Sequence, residues 1–250
     1  MENTNIPSAE NKAVLLMLSG GRDSFLSACK LLEQGYYLKL ITYDNGCTIQ
    51  SSRSADCAER IAKKYGSEKV EFLGVHSIAS LFREFFIPYF NMPASDVAKK
   101  FGEVTISQLN CLICRTSMYI YSIQVCKELN IPTIAEGARK SQGFVVELDG
   151  MIQRYKALLE QYGIELLLPV HDLNSDWDRK NELMWRGFIP KTFEAQCLLG
   201  FPLDGPINQN IIEGVHKFYD EAVLPRLKER KLIDRPMCKN NNNFDELYIK

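Results

Sequence analysis

Ala13-Val14-Leu15-Leu16-Met17-Leu18-Ser19-Gly20-Gly21-Arg22-Asp23-Ser24 is the stretch on which the fold turns. Its first six residues make a short apolar run bounded like a buried strand. Beyond Ser24, Phe25 to Leu32 carries apolar residues at helical spacing. A strand that runs through small residues into a helix leaves backbone N–H groups unpaired at the helix start, with the helix dipole behind them. Such a junction is a ready anion site. Gly20 and Gly21 let a phosphate approach the backbone and permit dihedrals closed to other residues. Ser19 and Ser24 add hydroxyl donors. Asp23 is placed to cap the helix or to hold a metal through oxygen, and both Asp23 and Ser24 read as solvent-facing.

The chain has 250 residues, enough for one sizeable α/β domain with an appendage. Thirty Lys and Arg face 31 Asp and Glu, a formal charge of −1, so no global basic field invites nucleic acid. Met1 to Asn11 is polar and lacks an apolar signal core. No apolar run reaches membrane-spanning length, so the sequence reads as a soluble, cytoplasmic protein with no membrane partner. Eight cysteines without a signal peptide point to metal, redox or catalytic chemistry, or to small core residues, and away from a secreted disulfide framework.

Further strand-helix alternation follows. Tyr37–Tyr43 reads as a second strand ending at Asp44-Asn45-Gly46, residues 54 to 65 as a helix, and Lys69–Val75 as a third strand. Ile131–Glu136 and Ile164–Leu168 read as the fourth and fifth. This pattern predicts an α/β fold with a doubly wound, five-stranded parallel sheet and helices on both faces. Ligands in such sheets bind beyond the carboxyl ends of the strands, where Ser19 to Ser24 and Thr42 to Gly46 both fall. Asp44-Asn45-Gly46 also suits a plain turn. Between the third and fourth strands, Phe82, Phe85, Phe86, Tyr89 and Phe90 read either as aromatics packing a helix or as a lid. Residues 12–171 form the expected main domain and residues 172–235 a C-terminal helical extension, with Pro225 kinking a long helix over Ile207 to Lys231. Residues 236–250 form a tail.

Cys111-Leu112-Ile113-Cys114-Arg115 opens a strong helical stretch. Residues three apart share a helix face, so both sulfurs can point at one place. A helix N-terminus favours a thiolate and lowers the cysteine pKa. The pair suits zinc, an iron–sulfur cluster, a redox dithiol, or nothing in particular. Cys29, Cys57 and Cys126 lie on apolar helix faces as core residues. In the loop after the fourth strand, Arg139 and Lys140 are placed to meet phosphate charge, with a solvated loop as the alternative.

Ser-Gly-Gly-x-Asp-Ser at the first strand-helix junction resembles the pyrophosphatase loop (PP-loop) of the N-type ATP pyrophosphatases, whose fold is Rossmann-like. That superfamily contains argininosuccinate synthetase, GMP synthetase and tRNA thiolation enzymes. The resemblance covers about residues 13 to 170. It implies that ATP with magnesium lies across Ser19, Gly20, Gly21, Arg22, Asp23 and Ser24. Thr42, Tyr43, Asp44, Gly137, Arg139 and Lys140 become further nucleotide contacts, and a substrate carbonyl attacks the α-phosphorus to give an adenylate. In the 2-thiocytidine and 2-thiouridine tRNA thiolases a Cys-x-x-Cys pair lies between the third and fourth strands, and a later cysteine completes an iron–sulfur site. Carried over, this makes Cys111, Cys114 and Cys197 the catalytic or ligating cysteines, around a 4Fe-4S cluster or Zn2+. Cys238 is a conceivable fourth ligand. A sulfur donor such as a cysteine desulfurase is implied, and a homodimer is compatible. Two departures matter. The Gly-His-x-x-Asp-Asp motif of many relatives is absent, and so is the late cysteine cluster of the 7-cyano-7-deazaguanine synthases. With no basic module in the chain, the expected acceptor is a small heterocycle or nucleotide, as in thioguanine formation, in preference to tRNA. An ATP-dependent amidotransferase or ligase with structural cysteines stands as one alternative, and a non-catalytic nucleotide-binding protein as another.

Overall fold

A computed structural model describes residues 12–90, 92–194, 196–199 and 207–235. Cys238 and residues 236–250 lie outside these. Strands β1 (Ala13–Met17), β2 (Tyr37–Asp44), β4 (Val70–Ser77), β5 (Thr133–Glu136) and β6 (Glu165–Leu167) form one sheet in the order β4-β2-β1-β5-β6. Every pairing in it is parallel. The five strands are those expected from the apolar runs.

Both faces of the sheet are covered, which is why the strands read as continuous apolar runs. Val14, Leu16, Leu38 and Leu40 pack on one side with Leu26 and Leu31 of α1 (Arg22–Glu33), and with Cys57 and Ile61 of α2 (Ser54–Tyr65). Leu15, Met17, Ile41 and Tyr43 pack on the other with Ile120 and Ile123 of α5 (Ile106–Leu129). Each fully buried Leu or Ile contributes about 1.5–3 kcal/mol. Cys29, Cys57 and Cys126 are buried in these layers, as expected of core cysteines.

Residues 77 to 106 fold as α3 (Ala79–Phe90) and α4 (Ala94–Phe101). Phe82 and Phe85 are buried, and Phe86 stacks on Phe82 at 5.3 Å between ring centroids. Tyr89 and Phe101 meet Phe218 edge-on. These aromatics are core packing, and the packing alternative holds over the lid.

The C-terminal helices divide between the two faces. After α6 (Asp149–Glu160), α7 (Asp176–Trp185) lies on α1, whereas α8 (Gln209–Phe218) and α9 (Leu224–Glu229) lie on the α5 side. The expected long helix is interrupted by a π turn over Tyr219–Val223, and Pro225 falls in the first turn of α9. The backbone stays helical from Phe218 through Val223 and Leu224, so the irregularity expected at Pro225 is present as the π turn directly before it. One pairing had no counterpart in the apolar pattern. Strand β3 (Thr48–Ile49) runs antiparallel to β7 (Gln196–Cys197).

Candidate active site

The sheet's strand order reverses beside β1, whose neighbours are β2 and β5. A crevice opens at such a switch point, outside the carboxyl ends of the strands. The Ser19–Ser24 loop sits in it. Gly20 adopts φ +82°, a conformation that favours glycine, and Gly21 caps α1 with no side-chain hydrogen bond. Ser24 Oγ donates to Gly21 O at 3.1 Å, and Gly21 N donates to Ser19 Oγ at 3.1 Å. Gly137, just past β5, has no room for a side chain, because a Cβ there would lie 2.5 Å from Ser24 N. Its close approach seats the loop against the sheet.

Asp23 departs from expectation. It is buried in the first turn of α1, neither capping the helix nor facing solvent. Arg139 Nε lies 3.2 Å and Arg179 Nη1 2.5 Å from its carboxylate, and Gln142 Nε2 donates to it at 2.5 Å. Asp23 therefore ties together the loop, the β5 exit and α7. Arg139 is committed to this internal pair, and Lys140 pairs on the surface with Asp149. Neither lines the crevice, which corrects their expected phosphate-facing role. Arg22 lies 4.0 Å from Asp176.

A cavity of about 270 Å³ fills the crevice, lined by Ser19, Gly21, Asp23, Ser24, Thr42 and Gly137 among others. Thr42 Oγ1 donates to Leu18 O at 2.6 Å, and the Tyr43 hydroxyl bonds Ser122. Both residues form cavity wall. Asp44 instead accepts from Gly46 N and Thr48 Oγ1, so the turn alternative describes it and its neighbour Asn45 faces the cavity.

A second cavity of about 280 Å³ adjoins the first, with Phe82, Asn110, Cys111 and Phe144 in its wall. Both cavities are lined by Asn45, Cys114, Arg115, Glu147, Glu194 and Cys197. Asn45 Nδ2 lies 3.3 Å from Cys114 Sγ and 3.8 Å from Cys197 Sγ. The two sulfurs thus share one amide donor at the common wall. Cys111 lines the outer cavity.

Helix α5 begins at Ile106, with a capping box from Thr105 to Gln108. Cys111 and Cys114 therefore lie past the first turn, beyond reach of the dipole that was expected to lower their pKa. Burial raises both instead, and it carries Cys114 to about 12 against the opposing Asn45 amide and Arg115. Among the described residues, no three His, Cys, Asp or Glu side chains are gathered to hold a metal ion. As placed, Cys111, Cys114 and Cys197 do not fit the implied cluster or zinc.

Arg115 bonds Glu136 and, at 3.1 Å, Glu147, and the Tyr119 hydroxyl donates to Glu136 at 2.6 Å. Burial pushes the Glu147 carboxyl up to about 7, with Arg115 opposing and Glu136 adding. Glu194 stands at the loop itself, its carboxylate against Gly21. Asn45, Glu136, Glu147 and Glu194 were absent from the residues read as a site. Asn45 could have been found from its strand-end turn, while nothing local marks Glu194.

No family model matches the sequence, and no curated protein matches it. Solved structures do. A 4-thiouridine synthetase, solved as an RNA complex with bound ATP, superposes with a TM-score of 0.60 at 15% identity, over 90% of this chain and 54% of that one. The two chains share a fold. This chain spans about half the length of that synthetase. Two other structures overlap at lower TM-scores. The NMN synthetase from Francisella tularensis gives 0.48 at 12% identity, over 92% of this chain and 90% of that one. A predicted subunit of tRNA methyltransferase from Methanocaldococcus jannaschii gives 0.42 at 16% identity, over 78% and 99%. The Ser19–Ser24 junction follows β1, at the switch point of that fold. No helix among the described residues is long and apolar enough to cross a membrane.

Proposed function

We propose that the protein is an ATP-dependent adenylating sulfurtransferase. The observation that carries this reading is the wall shared by the two cavities, where Cys114, Cys197, Asn45 and Glu147 meet. ATP with Mg2+ occupies the loop cavity, its phosphates on the backbone N–H groups at the start of α1. The acceptor occupies the outer cavity, and its carbonyl oxygen attacks the α-phosphorus at the junction. Glu147, with its carboxyl near neutrality, is the base that takes up the proton released as the adenylate forms, and pyrophosphate leaves. Holding the two reactants in adjoining cavities supplies most of the acceleration.

The sulfur step is written through thiols. Cys197 accepts a persulfide from a donor such as a cysteine desulfurase. Its terminal sulfur attacks the adenylated carbon, AMP leaves with the oxygen, and a carbon–sulfur–sulfur–Cys197 adduct forms. Cys114, held as a thiol, then attacks the Cys197 sulfur and passes its proton to the departing product. The product leaves as a thiocarbonyl, a Cys114–Cys197 disulfide remains, and an external dithiol reduces it. Asn45 supports both sulfurs by donating to whichever carries charge.

The acceptor in this reading is a small heterocycle or nucleotide, with a tRNA base as the second source of the same chemistry. The test is a product assay with ATP, a persulfide donor and a panel of lactam nucleobases, nucleosides and tRNA. AMP and pyrophosphate are expected in equal amounts. Cys114→Ser and Cys197→Ser are expected to keep pyrophosphate release and lose the thiocarbonyl. ADP and phosphate as sole products would overturn the adenylation. Full thiocarbonyl formation without Cys114 would overturn its role in the sulfur step, and a C–N product formed with ammonia in place of the persulfide would support an amidotransferase or ligase.

A further inference from the structure

Asn110 lies in the second turn of α5, one residue before Cys111 and one turn before Cys114. It is 5% exposed and lines the outer cavity. Its Oδ1 is buried and has no hydrogen-bond partner among the described residues. An unsatisfied buried acceptor lowers stability, and native proteins retain few of them without a functional reason. The neighbouring walls are apolar and aromatic, from Phe82, Phe144, Val146 and Leu199. The Arg115 guanidinium at the common wall is already held by Glu136 and Glu147. The outer cavity therefore presents apolar and aromatic walls, the carboxylates of Glu147 and Glu194, three cysteine sulfurs and one buried, unfilled acceptor.

We propose that Asn110 is the specificity residue of the outer cavity, its amide oxygen accepting a hydrogen bond from the ring N–H of a planar lactam heterocycle. This rests on the acceptor role proposed above for that cavity. A lactam ring suits the apolar walls, the acceptor and the sulfurs at once. Its faces are apolar enough to lie along Phe82 and Phe144, and its edge carries an N–H donor for Asn110. Its carbonyl carbon can reach the wall where the sulfurs stand. A cavity of about 280 Å³ suits one ring system and not a length of polymer, so a base belonging to RNA would have to enter alone. A site built to bond a ring N–H rejects an analogue lacking it, because the buried acceptor is then left unpaired.

Isothermal titration of the full chain, with Mg2+ and α,β-methylene-ATP present, tests this with guanosine, 1-methylguanosine and unmodified tRNA. Guanosine is expected to bind the wild type at least about tenfold more tightly than its N1-methylated form. Asn110→Leu, similar in size and without the orphan oxygen, is expected to lose that preference and to melt no lower than the wild type. Asn110→Asp keeps an acceptor oxygen and is expected to retain the preference. Salt-sensitive tRNA binding weakened by Asn110→Leu would support the same recognition with RNA as the source. Equal binding of guanosine and its methylated form, or an unchanged preference in Asn110→Leu, overturns the proposal. If pyrophosphate release persists in that case, the proposed function survives and only the role of Asn110 falls. Absence of pyrophosphate release with every acceptor removes the reading beneath it.

Discussion

The Glu194 carboxylate lies directly against Gly21, so close that a Cβ built on the glycine would stand 2.9 Å from Glu194 Cδ and 3.0 Å from each oxygen. The adjacent Phe193 N donates to Gly20 O at 2.9 Å, which fixes the segment across the loop. A carboxylate rests where the loop would receive phosphate.

Glu194 and phosphate repel each other, so glutamate charge opposes nucleotide binding at this spot. Burial and then the Asp23 charge push the Glu194 carboxyl up, with Arg179 and Arg22 opposing. Protonation removes the repulsion, so wild-type affinity for α,β-methylene-ATP is expected to strengthen as pH falls toward that raised pKa. Glu194→Gln should bind about tenfold tighter near neutrality, equivalent to about 1.4 kcal/mol. Titrating both proteins across pH separates this effect from protonation of the nucleotide itself. Weaker binding by Glu194→Gln would show that the carboxylate holds the nucleotide's magnesium instead.

Asp23→Ala is expected to destabilise the fold as well as the loop. The substitution leaves the Arg139 and Arg179 guanidiniums buried without their shared partner. Breaking such a buried pair costs about 3 kcal/mol or more. Urea unfolding followed by circular dichroism measures it, and Ser24→Ala serves as the milder control. An Asp23→Ala midpoint equal to that of the wild type would contradict the structural role.

Glu147 sets the expected pH dependence of adenylation. It accepts a proton only when ionised, and its carboxyl is raised to about 7 by burial. Pyrophosphate release, measured as kcat/KM, should therefore rise as pH increases through about 7 and then level off. The same shift makes folding stability fall as pH rises between 4.5 and about 7, because the folded state holds this proton more tightly than the unfolded chain. Glu147→Gln should flatten both profiles.

Anaerobic reconstitution with iron and sulfide tests the cysteines. The shared Asn45 donor favours a thiol pair, so the protein should remain colourless. A broad absorbance near about 400 nm, lost in Cys111→Ser, Cys114→Ser and Cys197→Ser alike, would restore the cluster reading.

The sheet and its loop were legible because buried parallel strands and a glycine-rich junction are local signals. Val14 to Leu18 and Ile131 to Glu136 are apolar for reasons that any window of sequence reveals. The electrostatics were not legible. Arg139 was seen as a cation at the ligand edge, yet its partner Asp23 comes from the opposite end of the domain. Glu194 reaches Gly21 only through the backbone contact at Gly20, and Cys197 is fixed by pairing with Thr48. Two-residue strands carry no periodicity, so β3 and β7 left no trace to read. The cysteine pKa values went astray by one helical turn, since the capping box at Thr105 starts α5 before the pair arrives.

The wall common to both cavities also bears on timing. If an activated intermediate forms there, the group that consumes it already borders the same space. Such an intermediate has no distance to diffuse and little opportunity to meet bulk water. Its survival then depends on how long the sulfur donor leaves Cys197 unloaded. Uncoupled ATP breakdown should accordingly report the supply of persulfide, with the protein behaving as a gauge of available sulfur.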